Sequence, residues 1–281
     1  MAQEGNTVRH RPVSGARAFA LATLLVAAAT AFAAHAWQAG QARVAATPAQ
    51  VDAALDARGV AWVWPASNGP TAGRAPGYRE AAVLLETLVI RADGVERMPR
   101  MQPLALPSGV KLLPVLHVEA AADAPDALSD AQAQAIVAAF VRHADDAANG
   151  AGMLQLDFEA PHRERRSYQA LVARLKAALP PRVRLSVTAL AHWCIESDWL
   201  DRLPVDEVVP MLYRLGPQAA RWREHWLGDG AGLARRCRGP ALGFATDDPP
   251  PASLLARTPR PYWFDESAWS NVSQPHLLIA S

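Results

Sequence analysis

The chain has 281 residues, a formal net charge of +1 and 51% hydrophobic residues. That is enough apolar material for one core of roughly 240 residues behind a separate N-terminal segment. Past the N-terminus there is no basic block, which speaks against nucleic acid as the main partner, since phosphate binding needs clustered Lys and Arg.

Arg9, Arg11 and Arg17 precede an uncharged apolar run, 18–34, and Ala34-His35-Ala36 follows as a small-x-small site. This is the layout of a secretory signal peptide. At about 17 residues the run also sits at the short edge of a bilayer span. Residues 18–34 therefore read either as a cleaved signal or as an anchor with its positive side inside the cell. In both cases the remainder is exported: periplasmic, secreted, or held at the inner membrane. The predicted organisation is a leader over 1–40 and one domain over 50–281.

Within that domain, short apolar runs alternate with amphipathic ones. Strands are predicted at 60–65, 82–90, 110–120, 153–159, 183–193, 205–215, 239–246 and 260–269. Helices are predicted at 129–148, where Ser129 is the cap, at 167–179, where Pro180 and Pro181 stop it, and at 218–230, closed by glycine. This alternation predicts an α/β fold, a (β/α)8 TIM-like barrel. Residues 59–107 are rich in Pro, Gly and Arg and supply no helix between the first two strands, so the barrel is expected to be irregular there.

Cys194 follows the fifth predicted strand and Cys237 precedes the seventh. Those are opposite ends of a parallel barrel, beyond the ~7 Å Cα limit for a disulfide. Two buried free thiols are expected. No Cys/His spacing resembles a zinc site, and no metal or cofactor is implied.

Side chains alternate across a strand. In the fourth strand Met153, Gln155, Asp157 and Glu159 share one face, opposite Leu154, Leu156 and Phe158. If the apolar face packs on helices, both acids sit in the lumen at the carboxyl end, where barrel enzymes place their chemistry. The same parity groups His117 with Glu119, Thr188 with His192, Met211 with Tyr213, Leu242 with Phe244 and Thr246, and Trp263 with Asp265. Close carboxylates push each other's pKa values apart, so one can be an acid while the other stays charged. That suits cleavage of a glycosidic bond, with Glu159 as acid and Asp157 as its partner. The bland alternative is an ion pair of Glu159 with Arg163 or Arg166. His117 and Glu119 read either as a second acid–base pair or as a core histidine with its hydrogen-bond partner. Trp193 and His192 follow the fifth strand, where Trp193 either stacks on a sugar or packs under a loop. Arg214 is a candidate anion clamp or the counter-ion of Asp157.

The Leu156-Asp157-Phe158-Glu159 stretch resembles the end of the D-x-x-D-x-D-x-E motif of chitinase-like glycoside hydrolases (family 18). Gly152 and Gln155 stand where that pattern has further acids. Residues 208–216 are similar to the sixth-strand M-x-Y-D of that family, with Met211 and Tyr213 matching and Arg214 replacing the Asp. Residues 262–269 resemble its eighth-strand Trp region. The resemblance implies Glu159 as acid, Asp157 as the aid to the substrate's acetamido group, Tyr213 as its steadying hydroxyl, and Trp263 as a sugar floor. Residues 154–160, 185–194, 199–216 and 240–244 look like the bacterial domain-of-unknown-function family 3142, a barrel-shaped, hydrolase-like family.

The expected protein is thus an exported glycoside hydrolase-like barrel acting on a carbohydrate polymer. Glu159 and Asp157 are its catalytic pair, with Tyr213, Trp263, Trp193, His192, Glu119, Asp265 and Arg214 around the sugar. The rival expectation is a barrel at the cell envelope that binds glycan without cleaving it.

Overall fold

Strands buried on both faces run apolar rather than strictly alternating, and eight such runs form the wall. In the computed structural model the strands are β1 (Val60–Val63), β2 (Glu80–Arg91), β3 (Gly94–Pro99), β4 (Lys111–Ala120), β5 (Met153–Phe158), β6 (Arg184–Leu190), β7 (Glu207–Met211), β8 (Ala241–Ala245) and β9 (Arg260–Phe264). Their order is β1-β9-β8-β7-β6-β5-β4-β2-β3, and β1 also pairs with β2. Eight parallel strands therefore close into a TIM-like α/β barrel, with β3 outside the ring. The structure describes residues 44–64, 78–159, 165–196 and 198–264. The predicted leader, its apolar run 18–34 and Asp265 lie outside them. The barrel belongs to the unit that begins at Ala45. No helix among the described residues is long and apolar enough to cross a membrane.

Local chemistry sets the helix starts. Helix Pro48–Arg58 begins with a capping box of Thr47 and Gln50 and has Pro48 in its first turn. Helix Asp130–Arg142 begins with a capping box of Ser129 and Gln132. Each such cap stabilises its helix by about 1 kcal/mol. Arg58 donates to the carbonyl oxygens of Thr258 and Leu255, both at 2.9 Å, which fastens the first helix beside helix Ala252–Arg257.

The irregular quarter is where the sequence predicts it, but its content differs. β2 folds back onto β3 as an antiparallel hairpin, a strand the sequence reading omits. The β2–β4 ladder slips between Leu84 and Glu86. A one-residue bulge reverses the alternation of side chains. Ala82 and Leu84 accordingly join the inner core, while Leu88 and Ile90 join the outer one. Glu86 turns outward with them and is 1% exposed. It accepts from Arg97, lies 3.3 Å from His143 Nε2 and 3.7 Å from Arg142. Burial would raise its pKa, but the Arg97 and His143 hydrogen bonds outweigh that and hold the carboxyl below its ordinary range.

Two apolar clusters sit on either side of the wall. The inner one includes Trp62, Leu113, Val115, Met153, Met211, Tyr262 and Phe264. Trp62 spans the lumen to β8, where a Cβ on Gly243 would lie 2.7 Å from its ring. β8 therefore offers only Ala241, Gly243 and Ala245 to the lumen and sends its large residues outward. This corrects the predicted parity of the last two strands: Leu242, Phe244 and Trp263 belong to the outer core.

The β7–β8 ladder is the thinnest, with the single register pair Met211↔Gly243. Outside it, Cys194 and Cys237 form a disulfide, with a Cα separation of 5.8 Å. The expectation of two free thiols is thus wrong. It compared strand tips, but strands of five residues rise only about 17 Å, and Cys194 lies not at a tip but in the helical turn Trp193–Glu196 of the descending crossover. There it meets the turn Arg235–Arg238 that carries Cys237, and the Ala234 N–H donates to the Cys194 carbonyl at 2.8 Å. Replacing both cysteines by serine should lower stability by about 2–4 kcal/mol through loss of the cross-link, measured as denaturant unfolding of the oxidised wild type against the variant.

Candidate active site

β5 delivers Asp157 because its ladders put polar groups in register. One row across the wall is Val115, Gln155, Ser186 and Glu207. The row above begins His117, Asp157. In the lower row the Trp62 indole N–H donates to Gln155 Oε1 at 2.8 Å, Gln155 Nε2 to Ser186 Oγ at 3.1 Å, and Ser186 Oγ to Glu207 Oε1 at 2.9 Å. Tyr262 OH also donates to Glu207, at 2.7 Å, and Arg260 joins Glu207 to Glu80. Gln155 is wholly buried and links two strands through its amide, a task that needs both a donor and an acceptor. A carboxylate there could not donate to Ser186. Gly152, before β5, has φ +69°, a left-handed turn that favours glycine over an acid. Gln155 and Gly152 thus each have a structural role at these positions.

The upper row forms the mouth. Asp157 is 8% exposed. His117 Nδ1 donates to its Oδ2 at 3.0 Å, and Thr188 Oγ1 donates to its Oδ1 at 2.6 Å. Nε2 of the same imidazole lies 3.6 Å from Glu119. Burial alone would push His117 down; its hydrogen bonds to Asp157 and Glu119 instead lift its pKa to about 10. Burial likewise works against the Asp157 charge, yet the His117 contact keeps its carboxyl below the ordinary range. Glu119 is lowered by the His117 hydrogen bond. Glu159, one residue past β5, is exposed at the rim. Partial desolvation and then the neighbouring Asp157 charge raise its pKa, against the pull of His117. Two acids on one strand end are thus driven in opposite directions.

Aromatic rings line one side. Tyr213 stacks on Phe264 at 5.8 Å and 9°, and Trp62 meets it edge-on at 6.3 Å. Trp64 packs against Phe264 at 6.2 Å and His117 at 6.3 Å. Desolvation, followed by the charges of Asp157 and Glu159, raises the Tyr213 phenol, so it remains a neutral donor. Arg214 has φ +52°, its N–H donates to Asp248 at 3.1 Å, and its guanidinium lies 5.4 Å from the Phe264 ring. The counter-ion of Asp157 is His117 rather than Arg214.

Of the predicted residues, the fold gathers Asp157, Glu159, Glu119, Tyr213 and Arg214 about this mouth. Trp263 is fully buried in the outer core against Phe244 at 5.4 Å. Trp193 is 2% exposed and packs on Tyr168 and Trp199. Neither tryptophan reaches the mouth. His192 lies against Trp193 and Trp222. The reading missed Thr188's contact, the double role of His117, and Trp64. Trp64 was legible, since it follows Trp62 by two residues on the same strand face. Among the described residues no group of His, Cys, Asp and Glu is arranged to hold a metal ion.

Among solved structures, the spore cortex-lytic enzyme SleL of Bacillus cereus is similar to this chain at a TM-score of 0.40 and 13% identity, over 71% of this chain and 57% of that one. The chain thus spans less than two thirds of that enzyme's length. A likeness of that size assigns no role to any residue. No family model matches the chain, and no curated protein does.

The His117 proton, held to about pH 10 in the fold, leaves an unfolded histidine near pH 6.5. Its contribution to stability is therefore complete below about pH 6.5 and is lost as pH rises through about 10. Denaturant unfolding from pH 6 to 10 should show a decline that His117→Gln abolishes.

Proposed function

We propose that this protein is an exported glycoside hydrolase-like barrel, of the domain-of-unknown-function family 3142, that cleaves a carbohydrate polymer. One observation carries the chemistry: Asp157 is held charged and Glu159 is driven toward its neutral form, side by side at the carboxyl end of a barrel strand. Glu159 donates its proton to the leaving glycosidic oxygen. Asp157, fixed by His117 and Thr188, supports the positive charge that develops on the sugar. Trp64 and Tyr213 form the aromatic side of the cleft, where a ring face meets sugar C–H groups and the phenol donates. A second reading, glycan binding without cleavage, is favoured by Gln155, which takes a place held by an acid in the chitinase-like pattern and is wholly occupied in cross-linking strands.

The test is a glycan-hydrolysis screen of the exported domain. Glu159→Gln should lower turnover by about 10²–10⁴-fold, the usual worth of a positioned acid, and equal rates in both proteins would remove Glu159 from the mechanism. The alkaline limb of kcat/KM reports the Glu159 proton. Asp157→Asn should move that limb to lower pH, because the Asp157 charge is one of the causes that raise Glu159. Tight glycan binding with no turnover in the wild type would favour the second reading.

A further inference from the structure

Arg100 follows β3, in the part of the fold a regular barrel lacks. Its backbone N–H donates to the Leu85 carbonyl at the bulge, at 2.7 Å. Arg97 turns to the outer face to meet Glu86, so by alternation Met98 and Arg100 take the opposite face. Register agrees: Met98 pairs with Thr87, Thr87 with His117, and His117 with Asp157. Arg100 therefore stands on the same side of the wall as the Asp157 row. A cavity of about 190 Å³ opens beside Arg100 at the bulge, lined by Leu84, Thr87 and Met98 and also by Leu85 and Glu86 of the other face. Nε and Nη1 of Arg100 are buried and have no hydrogen-bond partner among the described residues. Glu86, which also lines the cavity, is engaged by Arg97, Arg142 and His143. A guanidinium cannot shed its proton, and buried donors in folded proteins are nearly always matched. Desolvation lowers the Arg100 pKa.

We propose that the Arg100 cavity is an oxyanion subsite, which takes a carboxylate or sulfate substituent of the polymer bound at the Glu159 mouth. The carrier of the anion rests on the glycosidase reading; the anion itself does not. Arginine pairs with both groups through charge-assisted hydrogen bonds. The substrate class is accordingly an acidic polysaccharide.

Two measurements on the full chain and its Arg100→Ala form separate these layers. The first is thermal unfolding in sodium acetate or sodium sulfate against sodium chloride of equal ionic strength. Either anion should raise the Tm of the wild type and leave that of Arg100→Ala unmoved. The second is calorimetric binding of an oligoglucuronate, its carboxyl-reduced form and a sulfated neutral oligosaccharide, all in the Glu159→Gln background. One acidic ligand should bind about tenfold tighter than the neutral one, the size of a charge-assisted pair, and Arg100→Ala should lose that advantage while keeping the neutral affinity. The ligand that shows the advantage names the substituent. An equal anion response in both proteins overturns the subsite. So does binding of neutral and acidic ligands with equal affinity. If no oligosaccharide binds but the anion response still requires Arg100, the subsite stands and the glycosidase reading falls.

Discussion

Bringing a carboxylate into a barrel costs several kcal/mol unless donors replace the water it leaves. Asp157 is met by an imidazolium and a hydroxyl, one on each oxygen, and hydrogen bonds to a charged group contribute about 1.5–3 kcal/mol each. With that charge secured, the neighbours have little choice. Glu159, partly desolvated and beside a fixed negative charge, holds its proton more tightly. The Tyr213 phenol does the same. His117 is pinned between two carboxylates and becomes a permanent cation in the physiological range. Burial and one buried charge thus act together on the protonation of the mouth.

Below the mouth the lumen is full. Trp62 and Tyr262 occupy its width, 5.0 Å apart, and the polar groups among them are joined into one chain from Gln155 to Glu207 and Arg260. Such a network is costly only where a member is left unmatched. The chain gives the floor its rigidity and leaves the rim as the place where a ligand can approach Asp157. It also accounts for Gln155 and Ser186, the polar residues on the inner faces of β5 and β6 below the mouth.

The acid pair was legible because it interrupts an apolar run, and period-two alternation then places both acids on one face. Alternation alone does not say which face is inside. For β5 the apolar set settles it; for β8 and β9 both faces carry large residues or very small ones, and only the ring of Trp62 across the lumen explains why Gly243 and not Phe244 points inward. Asp93-Gly94 directly after an apolar strand is a hairpin signal, so β3 was readable, whereas the bulge at Leu85 that turns Glu86 outward has no such mark. The disulfide was hidden because its two partners belong to crossovers, whose paths down the outer layer are set by packing, not by pattern. Trp193 and Trp263 show the same limit: a tryptophan near a strand end fills whichever layer has room, and here the outer layer does.

The β7–β8 seam draws these themes together. A single register pair joins the two strands, yet Glu207 on β7 reaches past β8 to Tyr262 and Arg260 on β9, and Cys194–Cys237 spans the same sector from without. In that sector the cylinder resembles a barrel stave held by hoops: its hoop strength comes from side chains and a covalent clasp, so the wall can stay shut there with almost no backbone lattice of its own.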